Sequence, residues 1–534
     1  MSDVEYVRLE LTLETPFLPG SADPNVVDPD WPLRPSEVKG VWRWWARAFV
    51  GGILYEKGLL VGQRDDKRGY LKVPRDDEVA LISEIVGEKL GLGYVAGSKS
   101  RASYFKISIS PSLNIEKYIS KFILCQDSKV FTHKLQRIQL LMMTKSIDVK
   151  ESNIASDNTV PRGVLKISRD ILRDLGVEYI DKLVFRVDGK INKKNERRCR
   201  VFNTEITEII DNAVGNKKVI MINPSDLKQL QDGLRRPKYK LSIYKEMEYL
   251  ERGINFDLKI SYNRERGNLG NDEIVASLSI LLLALTLSCF GKGSRRGLGC
   301  FKINSLEVND DKIRSDVMDM YNAIRQGEIN KAIRKVRERL ENVMNPYLKG
   351  NITGEPKELP PMPVISSRIF YQSSISDMSQ YNFQLSPYML CRITLKDSKV
   401  DTDYFLNILH NFFLRPVRAN TLHKAQDRLR QELKAWILGL PREQRGTGYK
   451  IIGSASRRAS PMLLAVHGNE AYLSVFVSAD WPNKLEWYRA GSKQPKPLQI
   501  DEKEVINATA IALSEFMEYL KEKKINIQVD RVWP

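Results

Sequence analysis

Histidine and cysteine are scarce in this chain, at four and five among 534 residues. The cysteines include no C-x-x-C, and their spacing suggests neither a disulfide framework nor a zinc ribbon, so a reducing cytoplasm is the expected setting. The histidines, His133, His410, His423 and His467, stand scattered, without H-E-x-x-H or a Cys/His cluster, which leaves a metal hydrolase without ligands. No G-x-x-x-x-G-K-[ST] occurs, so the phosphate loop of nucleotide hydrolases is excluded, and the lack of G-G-D-D or H-D argues against a nucleotide cyclase or metal phosphohydrolase. No catalytic residue, metal or cofactor is therefore expected.

Long apolar runs are also nearly absent. The longest, Ile274 to Phe290, is 17 residues without a charge; it contains Ser277, Ser279, Thr286 and Ser288, follows Asp272 and Glu273, and is followed by Gly291. It reads as the buried helix of a soluble domain rather than a membrane span. Residues 1–13 carry acids where a secretory leader would carry a basic end, so no leader is expected. Acids are the minority charge, 66 against 84 lysines plus arginines, a net +18. Such a balance points to a polyanion, and with membrane binding receding, nucleic acid leads.

What is present is a mixed order of elements. Val4 to Leu13 alternates Val7, Leu9, Leu11 and Leu13 with Arg8, Glu10 and Thr12, the period of a half-buried strand. A proline-rich loop, Pro16 to Pro35, carries Asp23, Asp28 and Asp30, which read as solvated turn residues. A helix follows with Ser36 as expected N-cap. Strands are expected at Tyr104 to Ser110, Lys182 to Val187, Cys300 to Val308, Pro461 to Val466 and Ile525 to Val532. Helices are expected at Asp311 to Leu348 and Asp501 to Lys524. Irregular interleaving of this kind makes the chain α+β. The basic cluster Lys190, Lys193, Lys194, Arg197, Arg198 and Arg200 reads as a flexible loop, and Gly350 to Pro363 as a linker by its proline and glycine content. Two domains are expected, 1–310 and 311–534, the second including that linker.

Three constellations join cations to helix or loop amides. On the helix opening at Ser36, Val38, Val41, Trp42, Trp45 and Phe49 share one arc, while Lys39, Arg43 and Arg47 recur at four-residue steps on the other side. Trp42 and Trp45 are assigned to the core, and Trp44 to an exposed stacking surface. Gly291 to Gly299, GKGSRRGLG, sets Lys292, Gly293, Ser294, Arg295 and Arg296 in a glycine loop whose amides can converge on a phosphate. Gly453 to Ser460, GSASRRAS, holds Arg457 and Arg458 and repeats the pattern G-x-x-S-R-R, a hint that the two domains are related.

Glu14-Thr15-Pro16-Phe17 followed by Arg34 to Ala48 (RPSEVKGVWRWWARA) closely resembles the opening of the RAMP proteins of CRISPR systems, specifically of subunit one of the type III-B Cmr effector complex. Gly291 to Gly299 is similar to the RAMP glycine loop, and Ser456 to Pro461 resembles a further signature of that subunit. The resemblance implies two ferredoxin-like (RRM-like) domains with insertions. It further implies a non-catalytic RNA-binding role at the 3′ portion of the CRISPR RNA, with CRISPR RNA, target RNA and the other Cmr subunits as partners in an antiviral ribonucleoprotein. The competing readings are a RAMP endoribonuclease using His133 or one of the loop aspartates, and a protein-only scaffold.

Overall fold

The computed structural model describes residues 4–19, 26–96, 99–121, 248–263, 268–348, 358–368, 385–397, 400–413, 418, 421–422, 427–444, 447–452, 457–489 and 494–534, together with the backbone of the strands lying between 147 and 244. Asp23, His133, His423, Lys193, Lys194, Gly453 to Ser456 and residues 350–357 of the expected linker lie outside the described residues.

The N-terminal part runs β1 (Val4–Leu13), α1 (Pro35–Glu56), β2 (Phe105–Pro111), β3 (Asn255–Tyr262), α2 (Asn271–Leu287) and β4 (Phe301–Val308). Its sheet has the order β4-β1-β3-β2, every neighbour antiparallel. That βαββαβ path is the ferredoxin-like topology. Alternation decides which face is core: Leu9, Leu11 and Leu13 of β1 and Phe256, Leu258 and Ile260 of β3 are fully buried. α2 is the uncharged run, apolar all round and buried along nearly its whole length. No helix among the described residues is long and apolar enough to cross a membrane.

Two helices, α3 (Asp311–Arg325) and α4 (Ile329–Met344), follow β4 in place of the single expected stretch. The break falls at Gly327, whose φ of 76° ends α3 in a left-handed turn. The C-terminal part then repeats the path: β5 (Tyr388–Leu395), α5 (Thr402–Phe412), β6 (Met462–His467), β7 (Glu470–Phe476), α6 (Glu502–Glu522) and β8 (Ile527–Trp533). The sheet order β6-β7-β5-β8 is again antiparallel throughout. The chain is thus α+β with two ferredoxin-like folds. Their kinship lies in this path, not in the repeated G-x-x-S-R-R. One copy precedes the fourth strand of its fold and the other the second, so the copies are not equivalent.

By contacts the chain divides into one unit of Met1–Pro19, Asp28–Tyr118 and Glu251–Pro534, and another of Gly20–Val27 and Ile119–Leu250. The second unit holds a six-stranded antiparallel sheet. There Lys182–Ile191 pairs with Glu196–Asp211, so Lys190 stands opposite Arg197 and Gly189 opposite Arg198. The described part of the basic cluster is therefore strand. Its polar residues mimic a loop, but the backbone hydrogen bonds come from a hairpin.

The other correction concerns the linker. Leu359, Val364, Ile365 and Ser366 are buried, as a strap between the two ferredoxin-like folds. The Ile365 amide donates to the Ala48 carbonyl of α1 (2.8 Å), and the Ala479 amide, after β7, donates to the Pro360 carbonyl (2.8 Å). Arg337 of α4 donates to the Ile365 carbonyl (2.5 Å). Prolines make such burial tolerable, because they bring no N–H that would need a partner. Gly52 makes the approach possible, since a Cβ there would collide with the Ile365 carbonyl. Gly52→Val is therefore expected to cost about 1–3 kcal/mol through overpacking, read as a lower denaturation midpoint.

Candidate nucleic-acid interface

α1 begins one residue before the expected cap. Arg34 is the N-cap and Pro35 the first helical residue, its φ already fixed for the helix. Trp42 and Trp45 are fully buried, as expected. The Trp42 indole donates to the Ser277 carbonyl (2.8 Å) and the Trp45 indole to the Ser288 hydroxyl (2.7 Å), both across to the α2 region. Trp44 differs from expectation. It is half-buried, meeting Phe476 of β7 edge-on at 4.9 Å, while Trp45 meets Tyr388 of β5 at 6.2 Å. Helix α1 thus serves two cores, and what the helical arc left over as an exposed aromatic faces the second fold.

The glycine loop leaves α2 and returns to β4. Gly291, Gly293, Gly297 and Gly299 all have φ between 72° and 84°, a region L side chains avoid. At Gly291 and Gly299 space is also lacking, because a Cβ would strike the carbonyls of Leu18 and Phe290. Cys289 and Cys300 close the loop with a disulfide, a pairing that the spacing of the cysteines did not suggest. The signal was nonetheless legible: the pair stands just outside the two ends of the glycine loop, 11 residues apart. Cys391 is free and buried.

The loop lies along β6, the edge strand of the second sheet. The Leu464 amide donates to the Arg295 carbonyl (3.1 Å), and Arg296 forms a parallel bridge with Leu464. His410 of α5 sets Nδ1 at 3.0 Å from the Arg296 carbonyl. Burial, then repulsion by Arg296, pushes its pKa down to about 3. The ring is therefore neutral, and since a carbonyl can only accept, Nδ1 carries the proton. His467 is likewise held to a carbonyl, that of Thr286, at 2.7 Å. The two described histidines are thus occupied in packing. Asp28 accepts from the amides of Asp30 and Trp31 (3.1 and 3.3 Å), a capped turn as expected.

The three constellations converge. Arg295 points its guanidinium toward Trp44, 5.9 Å from the ring centroid, and donates to the Ser460 carbonyl at 2.6 Å. Burial first, then repulsion by Arg458 and Arg457, lowers its pKa to about 10, against one opposing carboxylate, Asp480. Burial and Arg457 likewise lower that of Arg296. Along α1, burial and the neighbouring Arg47 lower Arg43. Each of these cations still carries its charge at neutral pH, in a place that disfavours it.

The individual side chains divide into two groups. Arg458 is buried and fully engaged, donating to the Asp480 carbonyl (2.9 Å), the Asp480 carboxylate (2.8 Å) and the Ala459 carbonyl (2.8 Å), with its guanidinium 4.7 Å from the Trp481 ring centroid. Lys39 donates to the Phe105 carbonyl (2.9 Å) and Arg43 to the Leu92 carbonyl (2.7 Å). These hold the scaffold. Arg47 and Arg457 are exposed, and Lys292, Gly293, Ser294 and Arg296 half-exposed. Sequence patterning did not reveal Phe476 and Asp480, or that Ser460 of the third constellation would accept from Arg295, because nothing local marks a residue that a distant loop will touch.

The open face of the first sheet offers no competing platform. Trp42 packs on Phe105 (5.1 Å) on the helix side, so the opposite side carries Arg8, Thr12, Lys106, Asn255, Asp257 and Lys259. Arg8 pairs with Asp257 (2.7 Å), and this hydrogen-bonded pairing lowers the Asp257 pKa. Aromatic side chains on which RRM sheets stack bases are missing from these positions.

A family model described as the RAMP superfamily matches residues 10–302. No curated protein sequence matches. Among solved structures, a chain of the type III-B Cmr-beta complex bound to cognate target RNA is similar at 13% identity, covering 97% of this chain and 100% of that one, with a TM-score of 0.45. A second Cmr-beta structure, with target RNA, AMPPnP and single-stranded DNA, covers 97% and 99% at 13% identity and a TM-score of 0.44. Cmr1 from Pyrococcus furiosus in its apo form covers 99% of both chains at 13% identity and a TM-score of 0.38. At these scores the structural likenesses carry no argument, and the fold rests on the strand orders above.

Proposed function

The chain belongs to the RAMP superfamily, and on that premise we propose that it is a non-catalytic, RNA-binding subunit of a type III-B CRISPR (Cmr) ribonucleoprotein. In this reading it sits at the 3′ portion of the CRISPR RNA in the cytoplasm, beside other Cmr subunits, and aids capture of complementary target RNA. The observation that carries the RNA reading is the meeting of α1, the glycine loop and the Arg457–Arg458 segment at one seam between the two ferredoxin-like folds. Burial first, and repulsion by Arg457 and Arg458 second, lowers the pKa of Arg295 there, and burial and Arg457 that of Arg296. A phosphate backbone would relieve that repulsion without reading sequence, which suits a complex where base pairing supplies specificity. The Cmr assignment rests on the motifs at Glu14 to Phe17 and Arg34 to Ala48.

Within the proposal, Arg47, Lys292, Arg296 and Arg457 contact phosphates with Gly293 and Ser294 beside them, while Lys39, Arg43, Trp44, Arg295 and Arg458 set their positions. The division into domains 1–310 and 311–534 belongs to the same proposal, since it places one ferredoxin-like path on each side. Among the described residues no group of three or more His, Cys, Asp or Glu could hold a metal.

The test is a titration of the purified chain with single-stranded RNA at several salt concentrations. Log affinity should fall linearly with log salt, with a slope of about −0.7 for each phosphate neutralised, and the RNA should be recovered intact. Salt-independent or absent binding would favour the scaffold, and cuts at fixed positions the endoribonuclease.

A further inference from the structure

The glycine loop poses a mechanical problem. Four of its residues are glycines in left-handed conformations, which lose the most conformational freedom on ordering. Its arginines are repelled by neighbours across the seam: Arg295 by Arg458 and Arg457, and Arg296 by Arg457. Freedom and repulsion both act to open the loop. Beside the loop's bonds to Leu464, Ser460 and His410, what opposes them is a closure at its base, where the Phe290 amide donates to the Gly299 carbonyl (2.8 Å) and the disulfide joins Cys289 to Cys300. The closure is also tied to the second fold, since the Val466 amide of β6 donates to the Cys300 sulfur at 3.3 Å. Both half-cystines are buried, at 4% and 0% exposure. Cys391, the free thiol among the described cysteines, is pushed by burial up to about 12, so it is not a thiolate able to attack this bond.

We propose that the Cys289–Cys300 disulfide is a positioning pair for RNA binding, holding Arg296 against the second fold, with Lys292 beside Leu18, in the arrangement that meets the phosphates. The bond removes conformations in which the loop swings free, so the ordering is complete before RNA arrives and does not weaken the complex. The proposal rests on the RNA-binding reading above, and the experiment separates the two.

Non-reducing peptide mapping of the full chain should recover the peptides containing residues 289 and 300 joined, two hydrogens lighter than the separate thiols. The double variant Cys289→Ala/Cys300→Ala is then compared with the natural protein in RNA titrations and in hydrogen exchange of the amides from 291 to 299. The expected outcome is affinity weakened on the order of tenfold, with the salt slope unchanged because the phosphate contacts are the same in number, and faster exchange confined to the loop. A global loss of structure would instead speed exchange throughout. If that occurs, Cys289→Val/Cys300→Ala, which refills the buried volume, takes its place. Free thiols at both positions in the native protein, or variant affinity within about twofold of the natural protein's, would overturn the proposal. Reversal of Arg47 and Arg457 serves as the control. If it weakens binding while loss of the disulfide does not, only the positioning role falls; if neither change matters, the RNA-binding reading falls and takes the positioning role with it.

Discussion

Reversing Arg47 and Arg457 to glutamate is expected to weaken single-stranded RNA binding on the order of hundredfold near physiological salt and to flatten the salt slope by about 1.4, two phosphate contacts' worth. These positions are chosen because both side chains are exposed, so reversal leaves the packing intact. Arg295 is the less informative target despite its place at the centre. Its guanidinium donates to the Ser460 carbonyl and lies against Trp44, so a glutamate there would bury a carboxylate and disturb the seam itself. Unchanged affinity in the Arg47/Arg457 variant, with an unchanged melting profile, would move the RNA path elsewhere on the molecule.

A second large effect is expected at a buried charge cluster of the second fold. Arg418, Asp427 and Glu515 are buried together, with Arg418 Nε at 3.4 Å from Asp427 and 3.6 Å from Glu515 and side-chain exposures of 0%, 0% and 1%. Glu515 also accepts from the Leu429 amide (2.7 Å), and Asp427 from that of Arg430 (3.1 Å). Arg418→Ala leaves two carboxylates buried without their cation and should cost about 3–5 kcal/mol in chemical denaturation. Burial raises the Glu515 pKa from 4.5 to about 7. An acid whose folded value is raised favours folding while it stays protonated. Its contribution is complete below about pH 4.5 and is lost as pH rises through about 7. Glu515→Gln should therefore gain stability relative to the natural protein across that window, by about 3 kcal/mol at most. A constant difference between the two proteins from pH 5 to 8 would show that Glu515 is charged throughout.

Several elements were legible from local pattern. Alternation placed β1 at Val4–Leu13, and the three- to four-residue recurrence of apolar side chains put Trp42 and Trp45 in the core. The uncharged run became α2, and Asp501 caps α6 by accepting from the Glu504 amide at 2.7 Å. Failures came where a residue's partner is remote. Trp44 looked exposed because periodicity identifies the face turned to the nearest core, not a second fold covering the other side. The Leu359 to Ser366 segment has a linker's composition, yet its carbonyls accept from α4 and the second fold and its Ile365 amide donates to α1. Arg458 turns inward to Asp480 and Trp481, a direction that charge in a sequence does not show.

The chain's order of residues by itself determined the strands, the helices, the left-handed turns of the glycine loop and the excess of positive charge, because each depends on side chains a few positions apart. Only the tertiary structure decided which cations are engaged and which face outward, which cysteines are joined, and that Arg295 and Arg296 meet Arg457 and Arg458 beside Trp44. Those outcomes depend on desolvation and on which groups meet in space, whether 11 residues apart, as Cys289 and Cys300 are, or 165, as Arg295 and Ser460 are.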